Sequence, residues 1–249
     1  MESLAGKVAV ITGGNSGIGM ATAQLFAKEG AQVIITGRRQ DAIDAALKKI
    51  GSNAIGICGD IADLAHHRQI AKEVELEFGR VDIYMANAGY INIKKSHAVT
   101  LEDYDRHFAI NTRGVFFGVQ AITPLLSDGG NILLTSSMAA TKVLDGHTVY
   151  AGSKAAIAAF ARNWALELKA RKIRVNVLSP GPVETAILTK LGIGEAERPG
   201  FTQMMAEMIP AGRLGESEEL ARAALFLASS SGSFINGVEL IVDGGMALT

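Results

Sequence analysis

Tyr150 and Lys154 are two side chains that could move a proton together. A spacing of four residues places them on one face of a helix, and the hydroxyl-rich run 135–137 ends thirteen residues before the tyrosine. The ordinary pKa of tyrosine, about 10, is too high for a base at neutral pH, and a neighbouring ammonium lowers it. We therefore expect Lys154 to lower the pKa of Tyr150 in a proton-transfer site. An ordinary exposed Tyr/Lys pair has the same spacing.

A glycine-rich turn lies between the first apolar run and the first helical pattern. Residues 7–11 are predicted to form a strand and residues 20–28 a helix. Glycines in such a turn let the backbone bend sharply and approach a diphosphate, while free N–H groups at the helix start attract its charge. A glycine turn that binds nothing is the alternative. The predicted dinucleotide contacts in this turn are Gly13, Asn15, Ser16, Gly17 and Gly19.

Two arginines follow the second predicted strand. Dinucleotide folds that prefer NAD place an acidic residue about 20 positions beyond the glycine motif, where it binds the ribose 2′-hydroxyl. Here Arg38 and Arg39 occupy that region, and no acid appears before Asp41. A guanidinium offers charge-assisted donors to a 2′-phosphate. We therefore expect NADP(H) to be favoured over NAD(H), with Arg38 as the main contact and Arg39 as a helper, although two solvated arginines at a helix start remain the alternative.

Strand-like and helical patterns alternate along the chain. Strands are predicted over 7–11, 32–36, 53–57, 81–85, 131–135, 173–178 and 238–242, and helices over 20–28, 41–50, 63–78, 101–126, 148–170 and 217–229. This alternation predicts an α/β, single-domain Rossmann fold, a doubly wound parallel seven-stranded sheet with helices on both faces. No linker-like run divides the chain, so residues 1–249 are predicted to form one NADP-binding domain.

One segment interrupts the alternation. Residues 181–215 carry three prolines and several glycines, and their apolar stretches 186–191 and 201–209 are too weakly patterned to predict framework helices. Long insertions beyond the carboxyl end of a strand often form lids and substrate loops. We expect a substrate loop or lid at about 183–212, with an ordinary surface excursion as the alternative.

Polar residues also follow the third and fourth predicted strands. Asp60 could accept a hydrogen bond from an adenine amino group, or serve only as a helix-capping residue. The run Asn87-Ala88-Gly89 follows the fourth strand. Because open α/β sheets bind ligands at the carboxyl ends of their strands, both positions are candidates for cofactor contact.

The order and spacing of these motifs resemble the short-chain dehydrogenase/reductase family over essentially the whole chain. The motifs are the glycine turn 12–19, Asn87-Ala88-Gly89, Asn111, Ser137, the Tyr150/Lys154 pair and Pro180-Gly181. The resemblance implies that Tyr150 is the general acid/base, that Lys154 lowers its pKa and holds the nicotinamide ribose, that Ser137 orients the substrate carbonyl and that Asn111 supports a water-linked proton relay. It also implies cofactor contacts at Ile18, Ile61, Asn87, Ala88, Gly89, Tyr150, Lys154, Pro180, Gly181, Val183 and Thr185.

The bulk composition restricts the partners. With 249 residues, 48% hydrophobic and 20% charged, and a net charge of -1, the chain has no general attraction to nucleic acid. It has one cysteine, no apparent signal peptide and no run approaching the ~18 apolar residues of a membrane span. The five histidines show no metal-ligand pattern. We expect a cytoplasmic protein without a metal or a membrane partner, and the family resemblance implies a homotetramer (or homodimer).

The favoured function is hydride transfer between NADP(H) and a small-molecule carbonyl or alcohol substrate, as in an NADP-dependent carbonyl reductase or alcohol dehydrogenase. A 3-oxoacyl carrier-protein reductase is an alternative, although the run 127–130 lacks basic residues that would help dock an acidic carrier. A noncatalytic NADP(H)-sensing protein is an alternative of another class. The sequence does not identify the substrate.

Overall fold

A parallel sheet runs through the centre of the computed structural model, which describes residues 3–185, 194 and 196–249. Its strands are β1 (Val8–Thr12), β2 (Gln32–Gly37), β3 (Ala54–Cys58), β4 (Val81–Ala86), β5 (Leu126–Thr135), β6 (Arg174–Pro180) and β7 (Glu239–Val242). The strand order is β3-β2-β1-β4-β5-β6-β7, and each neighbouring pair is parallel. The predicted seven-stranded parallel sheet is confirmed.

Helices cover both faces of this sheet. They are α1 (Gly17–Lys28), α2 (Gln40–Ile50), α3 (Leu64–Phe78), α4 (Leu101–Phe108), α5 (Gly114–Ile122), α6 (Thr148–Glu167), α7 (Arg198–Met208) and α8 (Ser217–Ala228). Alternate residues of β1 show the two layers: Val8 and Val10 pack in a cluster with α3, α5 and α6, whereas Ala9 and Ile11 pack in a cluster with α1, α2 and α8. A strand buried on both faces reads as a continuous apolar run, as residues 8–11 do.

The predicted helix over 101–126 is interrupted and shorter than expected. A single π turn, Ala109–Arg113, separates α4 from α5, and α5 ends at Ile122. The following turn contains Pro124, which has no backbone N–H to continue the helix. Strand β5 then begins at Leu126 rather than at residue 131. Leu126 pairs with Val81, and the register shifts before Asn131.

Helix α7 lies where the sequence predicted no framework helix. Phe201 and Met205, one turn apart on this helix, pack against Ile209 and Met246. The remaining surface of α7 is largely open, and Met204 is 49% exposed. Because only a narrow stripe of this helix is covered, few of its positions need to be apolar, and the sequence therefore lacks a strong amphipathic pattern. The other apolar stretch of the predicted lid, 186–191, lies outside the described residues.

Candidate active site

Tyr150 lies in the first turn of α6, at the carboxyl edge of the sheet. Its ring is half-buried, and the ring centroids of His107 and His147 lie 6.3 and 6.2 Å away, each edge-on. Ser137 lies close enough to the phenol to oppose the rise in the pKa of Tyr150, and its hydroxyl accepts a hydrogen bond from the backbone N–H of Ala139 at 3.2 Å. The sequence-predicted Ser137 and Tyr150 are therefore brought together by the end of β5 and the start of α6.

Lys154 is buried one turn farther along α6, with 3% of its surface exposed. Its Nζ donates to the carbonyl oxygen of Thr135 at 2.8 Å. Gly89 lies beside the same amine, since a Cβ added to Gly89 would be 3.4 Å from Nζ. Burial lowers the pKa of Lys154 to about 8. At neutral pH the side chain is still mostly an ammonium, held in a site with little water.

The predicted lowering of the Tyr150 pKa by Lys154 is not found in this structure. Burial raises the pKa of Tyr150 above its ordinary value, and the hydrogen bond with Ser137 opposes that rise. Desolvation of the phenolate outweighs the hydrogen bond. The side chain is therefore a protonated phenol at neutral pH, which suits the donation of a proton better than its removal.

Asn111 lies in the π turn between α4 and α5 and is fully buried. Its amide pairs with the backbone of Tyr90, accepting the N–H at 2.8 Å and donating to the carbonyl at 2.8 Å. It also donates to Ser153 Oγ at 3.0 Å, and that hydroxyl donates to the carbonyl of Tyr150 at 2.7 Å. Asn111 therefore joins the segment after β4 to the start of α6. Its role in a proton relay stays a prediction.

The glycine turn is held against the end of β4. Gly13 and Gly17 have φ of 65° and 52°, which a residue with a side chain rarely adopts. A Cβ on Gly19 would lie only 2.4 Å from the side-chain nitrogen Nδ2 of Asn87. Thr12 Oγ1 accepts the backbone N–H groups of Asn87 and Ala88 at 2.9 and 3.0 Å. The predicted cofactor contacts in 13–19 and 87–89 therefore lie side by side.

The sheet's hydrogen bonds continue beyond the strands into this edge. Gly14 N–H donates to Thr36 at 3.2 Å, and Gly59 N–H donates to Gly37 at 2.9 Å. Asn15 also lies against Gly37, since a Cβ added to Gly37 would be 2.6 Å from Oδ1 of Asn15. These contacts fix the backbone directly before the two arginines.

The two arginines differ in their surroundings, although both are exposed. Arg39 pairs with Asp41 at 3.5 Å. Within the described part of the chain, no carboxylate forms an ion pair with Arg38. Arg38 is therefore the more available donor, and its rank above Arg39 as a cofactor contact stays a prediction.

The remaining predicted contacts border the same edge. Asp60 Oδ1 accepts the N–H of Ala62 at 2.9 Å, and Ile61 is buried next to it. The helix-capping alternative for Asp60 is not found, because the residue that caps α3 is Asp63. Thr185 lies beside the glycine turn, with Cγ2 3.4 Å from the Cβ position of Gly17.

The segment after β6 is fixed by two backbone contacts. The N–H of Gly181, which follows Pro180, donates to Val242 at 3.0 Å, and Val183 forms a β-bridge with Gly215. This segment leads from the sheet to Thr185.

An apolar cluster packs beside Ser137. Its buried members are Met138, Ile209, Leu214 and Met246, and its half-buried members are Leu144, Phe201 and Met205. Met138 follows Ser137 directly in the chain, so the cluster lies near the end of β5 that carries Ser137.

Some residues that shape the site were not predicted. Thr12, Ser153 and the carbonyl of Thr135 each hold a predicted residue in place. Thr12 and Ser153 lie inside the recognised motifs, so their positions alone could have drawn attention. A backbone carbonyl cannot be recognised from side-chain types, so the contact of Lys154 with Thr135 could be found only in the folded structure.

The donor set at this edge fits an anionic dinucleotide. Helix α1 has no acidic residue in its first turn, so its free N–H groups favour a negative charge. Arg38 and Lys154 add two positive charges along the same edge. Among the described residues, no group of three or more His, Cys, Asp or Glu side chains could hold a metal ion. Nor does the described part contain a helix long and apolar enough to cross a membrane.

Known proteins resemble this chain along its whole length. A family model described as "Enoyl-(Acyl carrier protein) reductase" matches residues 13–247. Oxidoreductase asL5 of Sarocladium schorii is 42% identical over 249 residues, covering 99% of this chain and 98% of that protein. D-threitol dehydrogenase of Mycolicibacterium smegmatis is 36% identical over 250 residues, covering 98% of this chain and 94% of that protein.

Solved structures share the fold closely. A short-chain dehydrogenase/reductase from Serratia marcescens superposes with a TM-score of 0.91 at 34% identity, covering 98% of this chain and 99% of that chain. A blue fluorescent protein from a metagenomic library, solved in complex with NADPH, gives a TM-score of 0.90 at 34% identity with the same coverage.

Proposed function

Because the chain belongs to the short-chain dehydrogenase/reductase family and is therefore an NAD(P)-dependent oxidoreductase, we propose that it transfers a hydride between NADP(H) and a carbonyl or alcohol substrate, with Tyr150 as the general acid/base. The observation that carries this proposal is that the Ser137 hydroxyl neighbours the Tyr150 phenol, with the Lys154 ammonium buried one turn farther along the same helix. In the reducing direction the phenol gives its proton to the carbonyl oxygen as negative charge develops there. The cofactor supplies the hydride.

The residues of this chain divide the work by position. Ser137 donates a hydrogen bond to the substrate oxygen and keeps it within reach of the Tyr150 proton. The buried Lys154 ammonium, fixed by its bond to the carbonyl of Thr135, is proposed to hold the nicotinamide ribose of the cofactor. Asn111 fixes the backbone of Tyr90 opposite this pair. The catalytic role of each residue is part of the proposal.

NADP(H) is the proposed cofactor, in preference to NAD(H). Arg38 is exposed at the position where an NAD-preferring fold has its acid, and Arg39 is engaged by Asp41. A related structure with NADPH bound agrees with this preference without establishing it for this chain.

The substrate is proposed to be a carbonyl compound with an apolar substituent. The cluster that contains Met138, Phe201 and Met205 presents hydrocarbon and sulfur to the Ser137 side of the site. An open-chain polyol would leave its hydroxyl groups without partners against such a wall, which costs binding energy. Although one relative is a D-threitol dehydrogenase, the apolar wall favours ketones with aryl or alkyl groups.

The test follows NADPH oxidation by the purified protein with aryl ketones, alkyl ketones, a sugar ketone and acyl thioesters. We expect turnover of the apolar ketones and a roughly 10²- to 10⁴-fold lower kcat in Tyr150→Phe, the usual contribution of a positioned proton donor. Tyr104→Phe, the same change at a tyrosine that is 46% exposed, is the matched control.

Each alternative has its own outcome in this experiment. Tight NADPH binding without turnover of any carbonyl would favour a noncatalytic sensor, and turnover restricted to acyl thioesters would favour a 3-oxoacyl carrier-protein reductase. Full activity of Tyr150→Phe would contradict the proposed mechanism.

A homotetramer (or homodimer) is proposed as the assembly. A groove of about 880 Å³ on α4, α5 and α6 is lined by side chains that include Leu101, Phe116, Phe117 and Phe160. A separate apolar surface near β7 includes Phe234, whose side chain is fully exposed. Two apolar faces fit two dimer contacts, which together generate a tetramer.

A further inference from the structure

His107 is a buried side chain of α4 that lies between the segment after β4 and the ring of Tyr150. It is 1% exposed, and its ring centroid is 4.8 Å from that of Tyr90 and 6.3 Å from that of Tyr150. We propose that His107 is a positioning residue that fixes segment 90–94 relative to Tyr150 and thereby sets the binding of the carbonyl substrate. This inference rests on the proposed function.

The hydrogen-bond partners of His107 assign its tautomer. Nδ1 lies 2.7 Å from the carbonyl oxygen of Asp103, which can only accept, so Nδ1 carries the proton. Nε2 lies 3.1 Å from the backbone nitrogen of Asn92, which can only donate, so Nε2 is the acceptor. A neutral imidazole satisfies both partners, and a residue without an acceptor at the Nε2 position would leave the Asn92 N–H unpaired.

Segment 90–94 depends on α4 for much of its anchoring. Asn92 Nδ2 donates to Asp103 Oδ1 at 3.0 Å, and Lys94 Nζ donates to Asp103 Oδ2 at 2.6 Å. The guanidinium of Arg106 stacks on the Tyr90 ring at 4.5 Å. These three contacts involve exposed or partly exposed groups, whereas the bond from Asn92 to His107 joins the segment to the interior. Asn111 holds the backbone of Tyr90 at the start of the segment and His107 holds that of Asn92, so His107 determines how deep the segment lies beyond Tyr90.

The position of this segment matters for the substrate side of the site. Tyr90 follows Gly89, which lies beside Lys154, and Lys94 N–H donates to Gly146 in the loop before α6 at 3.1 Å. The segment thus borders the loop that leads to Tyr150. The ring of His107 packs against that of Tyr90 in this segment and faces the ring of Tyr150. A shift of the His107 contact would change the space between the two tyrosines and leave the glycine turn in place.

The test compares three substitutions in the full-length protein. His107→Gln offers an amide oxygen near the Nε2 position, His107→Asn keeps only a donor near Nδ1, and His107→Leu removes both groups. We expect His107→Asn and His107→Leu to raise KM for the ketone about three- to tenfold, the effect of losing one neutral hydrogen bond. The kcat and the KM for NADPH should stay close to wild type, and His107→Gln should restore KM. His97→Asn is the exposed histidine control.

A second measurement does not depend on catalysis. Amide hydrogen exchange of the peptide that covers residues 90–94, in the protein without ligand, should be faster in His107→Asn and His107→Leu and unchanged in His107→Gln. Equal KM values in the Gln and Asn variants, or faster exchange spread over the whole chain, would overturn the positioning role. If wild type turns over no carbonyl, the proposed function fails, while the exchange comparison still decides whether His107 holds the segment.

Discussion

At the scale of single residues, the site combines a buried ammonium with a half-buried phenol, and the pKa of each group is shifted toward the neutral form. The spacing of Tyr150 and Lys154 could be predicted because it follows from helix periodicity. The direction in which the pKa of Tyr150 shifts could not, because it depends on burial, which outweighs the opposing hydrogen bond with Ser137. The spacing in the sequence predicts which side chains meet, whereas their exposure to water depends on the fold.

Lys154→Met should abolish turnover and stabilise the fold at neutral pH. The pKa of Lys154 is lowered from 10.5 to about 8 by burial, and this shift corresponds to about 3 kcal/mol of lost stability below pH 8. Removing the buried charge therefore stabilises the fold, although loss of the hydrogen bond to Thr135 cancels about 1 kcal/mol of that stabilisation. Between pH 8 and 10.5 the unfolded chain binds more protons than the folded one, so wild-type stability rises over that window.

Urea unfolding of both proteins at pH 7 and pH 10 measures this effect. The excess stability of Lys154→Met should shrink at the higher pH, and exposed Lys169→Met should show no such dependence. A pH-independent difference would contradict the prediction.

Arg38→Ala should weaken NADPH binding and leave NADH binding unchanged. Loss of a charge-assisted hydrogen bond of about 1.5–3 kcal/mol raises the NADPH dissociation constant about 10- to 100-fold. Arg39→Ala, which removes a side chain already paired with Asp41, should have a smaller effect. Fluorescence titration with both cofactors provides the measurement, and a wild-type preference for NADH would show that Arg38 does not read a 2′-phosphate.

At the scale of elements, the alternation of strands and helices was predictable because each strand is a short apolar run with its own turn signal. The π turn at 109–113 was not, since the chain there has ordinary helical periodicity and Asn111 leaves that geometry only through its bonds to Tyr90 and Ser153. Helix α7 was missed because one narrow stripe of it is covered. Elements held by distant contacts are those that local patterns do not predict.

Thr12→Val should uncouple the end of β1 from the end of β4. The substitution keeps the shape of the buried side chain but removes the oxygen that accepts the N–H groups of Asn87 and Ala88. Leaving these donors without a partner costs about 1–3 kcal/mol of stability. Urea unfolding should show this loss together with weaker NADPH binding, and Thr12→Ser should recover most of both. A Val variant as stable as wild type would mean that water replaces the hydroxyl.

At the scale of the whole molecule, the strand order places the glycine turn and the segment after β4 next to each other. Strands β1 and β4 are neighbours in the sheet although two strands separate them in the chain. The chain leaves β1 toward one edge and returns through β4 toward the other, and ligands of open α/β sheets bind at such a reversal. The fold class could be predicted from the sequence, and with it the edge that carries the site.

Leu101→Glu should separate the proposed oligomer at the α4–α5–α6 groove. Leu101 is 76% exposed in the monomer, and a buried carboxylate at a subunit contact is strongly unfavourable. Light scattering should show a tetramer or dimer for wild type and a smaller species for the variant. Leu76→Glu, at a leucine that is 74% exposed and outside the groove, should leave the assembly intact. A monomeric wild type would contradict the proposal.

The hydrogen bonds that carry the sheet into its ligand edge have a consequence for how this protein can diverge. Gly14–Thr36 and Gly37–Gly59 fix the backbone around Arg38, whereas the Arg38 side chain is exposed. Folding therefore places few demands on the residue at position 38. Under the proposed role of Arg38, selection can exchange this side chain, and with it the preferred coenzyme, while the scaffold remains the same.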